Sequence, residues 1–170
     1  MMSPVVYRID GPWSGQLAIV PRPRGGEWLD DEVRVLRDAG FDTLLSLLTN
    51  EESKELGVSS EAQATAKYGM EFLSFPIPDL GVPDSTPAIR EFLSHVLDDL
   101  RAGKNVAIHC RQGIGRSGLI AASLLVVAGI DPLVALRTVS AARGLNVPET
   151  SEQRDWVMEL SHDVSELART

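Results

Sequence analysis

The stretch "VAIHCRQGIGRSGLIAASLL", residues 106–125, decides how this chain folds. It opens on a short apolar run, Val106 to His109, of strand length. It leads into "SGLIAASLLVVAG", residues 117–129, which is apolar almost all round and reads as a helix buried in the middle of a domain. Between them lies "CRQGIGR", a loop holding the chain's only cysteine, Cys110, and two glycines. A loop that leaves the carboxyl end of a strand and enters the amino end of a helix is where α/β sheets collect ligands. Its N–H groups point at a common centre, and the helix dipole adds about half a positive charge. Gly113 and Gly115 allow a tight curl at positive φ, so the backbone can approach an anion. Arg116 adds a planar fork of donors matched to two phosphate oxygens. The same field stabilises a thiolate at Cys110. A sulfur nucleophile beside an anion cradle suits displacement at phosphorus.

Outward from this loop, strands alternate with helices. Val5 to Ile9 and Gln16 to Val20 read as short strands split by a Gly-Pro turn. Leu29 to Ala39 reads as a helix with an acidic first turn, closed by Gly40. "FDTLLSLLT" (41–49) is a nearly continuous apolar run, expected of a central strand covered on both faces. Two short helical segments follow, "NEESKELG" and "SSEAQATAKYG", and then the strand "MEFLSFPI" (70–77). "PIPDLGVPDS" (76–85) is too rich in proline for a strand. Thr86 is expected to cap a helix that begins with Pro87 and runs to about Ala102. Asp131-Pro132 opens another helix, and a last one runs from about Thr150 towards Leu167. The pattern predicts an α/β fold, a central, mainly parallel twisted sheet flanked by helices. No repeat or linker divides residues 1–170, so one domain is expected, with strands and a loop of unassigned role in residues 1–25.

Composition narrows the classes of function. Of 170 residues, 16 are Lys or Arg and 24 are Asp or Glu, giving a net charge of −8. Such a chain repels nucleic acid and anionic membrane at long range, so an anionic substrate needs a local positive site. One cysteine excludes an internal disulfide and any multi-thiolate metal site. His95, His109 and His162 lack metal-ligand spacing, so no metal is expected. No secretory signal or membrane-length apolar run is visible, and a free thiol suits a reducing cytoplasm.

"HCRQGIGRSG" (109–118) resembles the signature of the cysteine-dependent protein tyrosine phosphatase superfamily: His-Cys, a glycine-bearing loop, Arg, then Ser or Thr. The compact "FPIPDLGVPD" loop and the short chain are similar to the dual-specificity branch. The resemblance covers most of residues 40–160 and implies that Cys110 forms a phosphocysteine. Arg111, Gln112, Gly113, Ile114, Gly115 and Arg116 would then hold the phosphate, and Arg116 would stabilise the transition state. Ser117 would donate to the sulfur, or serve as a helix N-cap, and His109 would orient the loop. The family's general acid comes from an upstream loop, and Asp79 is preferred to Asp84, which also reads as a cap-region acid. Gln153 matches a glutamine that places the second-step water, yet Thr150-x-x-Gln153 also reads as a capping box. Asn50, Glu51 and Glu52 start a helix or sit at the pocket rim. Trp13, Trp28 and Trp156 read as packing residues.

The resemblance implies no metal or organic cofactor. It implies a phosphorylated protein or small phosphomonoester as substrate, on phosphotyrosine and on phosphoserine or phosphothreonine. No aromatic recognition loop is visible upstream, so a shallow, permissive pocket is expected. Arg111 keeps a phosphoinositide open, and a phosphate-binding module without catalysis is the remaining alternative. An exposed thiolate would be liable to oxidation, with no second cysteine to trap it.

Overall fold

The computed structural model describes residues 3–84 and 86–169. Five strands form one sheet in the order β1-β2-β5-β3-β4. They are β1 (Tyr7–Ile9), β2 (Leu17–Ile19), β3 (Thr43–Ser46), β4 (Glu71–Ser74) and β5 (Val106–His109). β1 runs antiparallel to β2, and the remaining pairs are parallel. The mainly parallel sheet expected from the sequence is therefore observed.

β5 lies at the centre, with Ala107 paired to Ala18 of β2 on one side and Leu44 of β3 on the other. All four of its residues are buried, as are all four of β3. β4 is the half-exposed edge; of the run read as a strand over 70–77, Glu71–Ser74 forms the strand, and the Phe75 and Ile77 amides go on to bond the Ser46 and Leu47 carbonyls. Strand alternation divides the core. Val106 and Ile108 face the larger cluster, with Leu93, Val96, Leu119, Ile120 and Leu136. Ala107 faces the smaller one, with Leu29, Val33 and Leu36 of α1 (Leu29–Asp38) and Ala64 of α3 (Glu61–Lys67).

The helices α4 (Thr86–Arg101), α5 (Gly115–Val127), α6 (Pro132–Arg143) and α7 (Ser151–Arg169) complete the first face. Every residue of α5 from Gly115 to Val126 is buried, as its lack of a polar side requires. Asp131 caps α6 by accepting from the Leu133 and Val134 amides, at 2.9 and 3.3 Å. The cap expected from the Thr86 side chain lies outside the described residues. Among the tryptophans, Trp13 and Trp156 pack against the core. Trp28 does not: it is 48 % exposed, with the Arg24 guanidinium 4.3 Å above its ring. No helix among the described residues is long and apolar enough to cross a membrane.

Candidate active site

The cysteine loop follows β5 and ends at the first turn of α5, where the sequence places it. Cys110 Sγ accepts a hydrogen bond from the Gly113 amide at 3.2 Å. The sulfur therefore turns into the loop that surrounds it. Cys110 is 2 % exposed, which corrects the expectation of an open thiolate: the sulfur lies on the floor of the loop. The two glycines serve different needs. Gly113 has φ 71°, a left-handed turn that favours glycine. Gly115 is not left-handed; it is the first residue of α5, and a Cβ there would lie 3.0 Å from Gln153 Oε1 and 3.2 Å from Glu149 Oε1. Close approach, not positive φ, favours glycine at 115.

α5 begins at Gly115, so Ser117 lies inside the first turn and is not the N-cap. Its Oγ is buried and, among the described residues, has no hydrogen-bond partner. The bond from Ser117 to the sulfur is not formed in this arrangement.

Arg116 is 2 % exposed and is the largest of the fully buried side chains. Its charge is met from α2 (Asn50–Glu55), where Glu52 accepts from Nη1 at 2.7 Å and from Nη2 at 2.9 Å. The Ile77 carbonyl accepts from Nη1 at 2.8 Å, and Asp79 Oδ1 accepts from Nη2 at 3.1 Å. The fork is thus locked in one plane by a bidentate carboxylate. The Arg116 bond holds the Glu52 carboxyl down at about 2, assisted by the Thr49 amide and against the pull of burial. Burial works against the Arg116 charge, but Glu52 and the negative charges at Cys110 and Asp79 outweigh it and raise its pKa. Glu52 also closes a reciprocal capping box with Thr49. The sequence reading placed Glu52 at a helix start or the pocket rim, but not in this box nor against the buried cation the carboxylate turns to. The remaining two candidates, Asn50 and Glu51, are exposed or at the helix start without a bond to the loop among the described residues.

Asp79 lies in the proline-rich loop with its side chain 54 % exposed, and it is the acid that reaches Arg116. Asp84 is exposed and, among the described residues, bonds to no member of the cysteine loop. Leu80 follows Asp79 at φ 63°, an uncommon conformation for a branched side chain. Arg111 turns to α2, 3.5 Å from Glu55 and 3.7 Å from Glu52. Gln112 is exposed, and Ile114 packs against the larger core cluster. From the last residue of α6, Arg143 donates to the Gly113 carbonyl at 2.8 Å while stacking 4.1 Å above the Tyr7 ring of β1. No local signal marks this brace, because its partners are a carbonyl and a ring far away in the chain.

Gln153 is fully buried and takes the cap reading: its amide and Oε1 exchange bonds with Thr150, at 3.1 and 3.2 Å. Its Nε2 donates to the Gly81 carbonyl at 3.1 Å, tying α7 to the Asp79 loop. These bonds leave one N–H of Nε2 and one lone pair of Oε1 unused.

Comparison with known proteins agrees with this geometry. The family model described as "Polymorphic toxin system, DSP-PTPase phosphatase" matches residues 20–130. Cyclin-dependent kinase inhibitor 3 of Rattus norvegicus is 27 % identical over 133 residues, covering 77 % of this chain and 62 % of that protein. The chain thus spans under two thirds of the length of that curated relative. The crystal structure of Tk-PTP in the active form is 31 % identical, with a TM-score of 0.75, covering 95 % of this chain and 99 % of that one. The fold is also that of kinase associated phosphatase with its catalytic-site cysteine substituted by serine. There the TM-score is 0.88 at 20 % identity, over 97 % of this chain and 98 % of that one.

Proposed function

The chain belongs to the DSP-PTPase phosphatase family of polymorphic toxin systems, and on that premise we propose that it hydrolyses phosphomonoesters through a phosphocysteine at Cys110. The observation that carries the reading is the sulfur held at 3.2 Å from the Gly113 amide, beside a buried arginine locked by Glu52. The loop from Arg111 to Arg116 receives the phosphate. Of the guanidinium's N–H groups, Nη1 is occupied by Glu52 and Ile77, and Nη2 by Glu52 and Asp79. An arriving phosphate therefore displaces Asp79 from Nη2 and takes the edge formed with Nε. The freed carboxylate takes up a proton from water and passes it to the departing oxygen as the sulfur attacks phosphorus. In the second step Asp79 takes a proton from the attacking water, and Ser117, its hydroxyl buried and without a partner among the described residues, donates to the departing sulfur.

Protein phosphotyrosine and phosphoserine or phosphothreonine are the favoured substrates, in a shallow site. Residues 1–170 act as one catalytic domain, and a reducing cytoplasm suits the lone thiol. Cys110→Ser abolishes turnover of aryl and alkyl phosphates alike. Asp79→Ala slows alkyl phosphates far more than nitrophenyl phosphate, whose leaving group needs little protonation. Steady-state rates on both substrates check this, and equal losses on the two would remove Asp79 from its role.

A further inference from the structure

Behind the cysteine loop is a buried pair that the mechanism above does not use. His109 ends β5 with its side chain fully buried, and Glu61, the first residue of α3, has its side chain 2 % exposed. His109 Nε2 and Glu61 Oε2 lie 2.6 Å apart. On the other side of the ring, Nδ1 lies 3.4 Å from the Cys110 carbonyl oxygen, a long contact. A carbonyl only accepts, so this contact requires a proton on Nδ1. At 2.6 Å, a hydrogen bond joins Nε2 to the Glu61 side chain.

We propose that Glu61 is a positioning residue: through His109 it fixes the Cys110 peptide so that the next amide faces the bound phosphate. The inference rests on the phosphatase reading above. In a planar trans peptide the C=O of one residue and the N–H of the next point in opposite directions. Drawing the Cys110 carbonyl back to His109 sends the Arg111 N–H the other way, into the cradle. Glu61 sets the ring by holding Nε2, which leaves Nδ1–H for the carbonyl. The fold brings the pair together by alternation, since His109 shares the face of Ala107, where α3 packs. The sequence shows Glu61 only as an acid in the first turn of a helix, a common and sufficient reason for its presence.

The test reads phosphate binding and the histidine tautomer as well as turnover. Glu61→Ala is expected to weaken competitive inhibition by inorganic phosphate by roughly tenfold, the scale of one amide turned away from an anion. Glu61→Gln, whose carboxamide still bonds Nε2, is expected to restore most of that affinity. In the unsubstituted protein, ¹⁵N-histidine NMR is expected to find the proton of His109 on Nδ1. Phosphate inhibition unchanged in Glu61→Ala, equal losses in both variants, or a bare Nδ1 would each overturn the proposal. The NMR result decides the matter even if Glu61→Ala does not fold. Failure of the unsubstituted protein to turn over nitrophenyl phosphate would instead overturn the phosphatase reading, and leaves the phosphate-binding and tautomer results for Glu61 to be read separately.

Discussion

At the scale of residues, the site depends on one buried cation and the carboxylate that meets it. Glu52 has its side chain 11 % exposed and forms two short bonds to Arg116, so removing its charge strands a guanidinium. Glu52→Gln is expected to cost roughly 3 kcal/mol of stability in urea unfolding, the lower range for breaking a buried ion pair. It should also lower kcat/KM about a hundredfold, because the fork loses its plane. The pH dependence has a definite sign. The folded pKa of Glu52, about 2, is below the ordinary 4.5, so its stabilisation is complete above that ordinary value. As pH falls from about 4.5 through about 2, the fold loses about 3 kcal/mol from this group. Urea midpoints across this range check the claim, and a Glu52→Gln chain should show a flatter profile. Cys110, Arg116 and the Asp79 loop were legible because their chemistry is written in adjacent residues. Glu52 was legible only as a helix-start or pocket-rim residue, since its partner is 64 positions away.

At the scale of elements, the cysteine loop is held between α5, α6 and α7. A Cβ at Gly115 would crowd Gln153 at 3.0 Å, and Gln153 in turn bonds to the Gly81 carbonyl of the acid loop. Gly115→Ala should therefore shift Gln153, strain its bond to Gly81 and loosen the Asp79 loop. Turnover of alkyl phosphates should fall more than turnover of aryl phosphates, with a modest loss of stability. An equal effect on the two substrates would contradict this coupling. Gly113→Ala places a side chain at φ 71°, and about 1–2 kcal/mol of destabilisation is expected in thermal or urea unfolding. Among the described residues the sequence identified each strand and α-helix but not the 3-10 turn Gly26–Trp28, because periodicity, caps and glycine stops are local signals of the longer elements. Element ends moved by a few residues. The role of Gly115 was misread, since a close contact with α7 leaves no mark on a loop sequence.

At the scale of the whole molecule, a chain of net charge −8 must admit an anion to one local positive site. Raising ionic strength should screen the repulsion and raise kcat/KM for an acidic phosphopeptide, with a smaller change for nitrophenyl phosphate. A fall with salt for both would show that the local field, not the net charge, governs approach. The parallel sheet was legible from alternating strands and helices. The strand order was not, because the pairing of β2 and β3 with β5 rests on long-range packing that periodicity does not encode. The most direct test of the whole account is the mass of the chain, acid-quenched during turnover of nitrophenyl phosphate and then digested and mapped. A phosphoryl group on the Cys110 peptide, absent from Cys110→Ser, is predicted. Full turnover with phosphorus on another side chain, or continuing undiminished in Cys110→Ser, would contradict it.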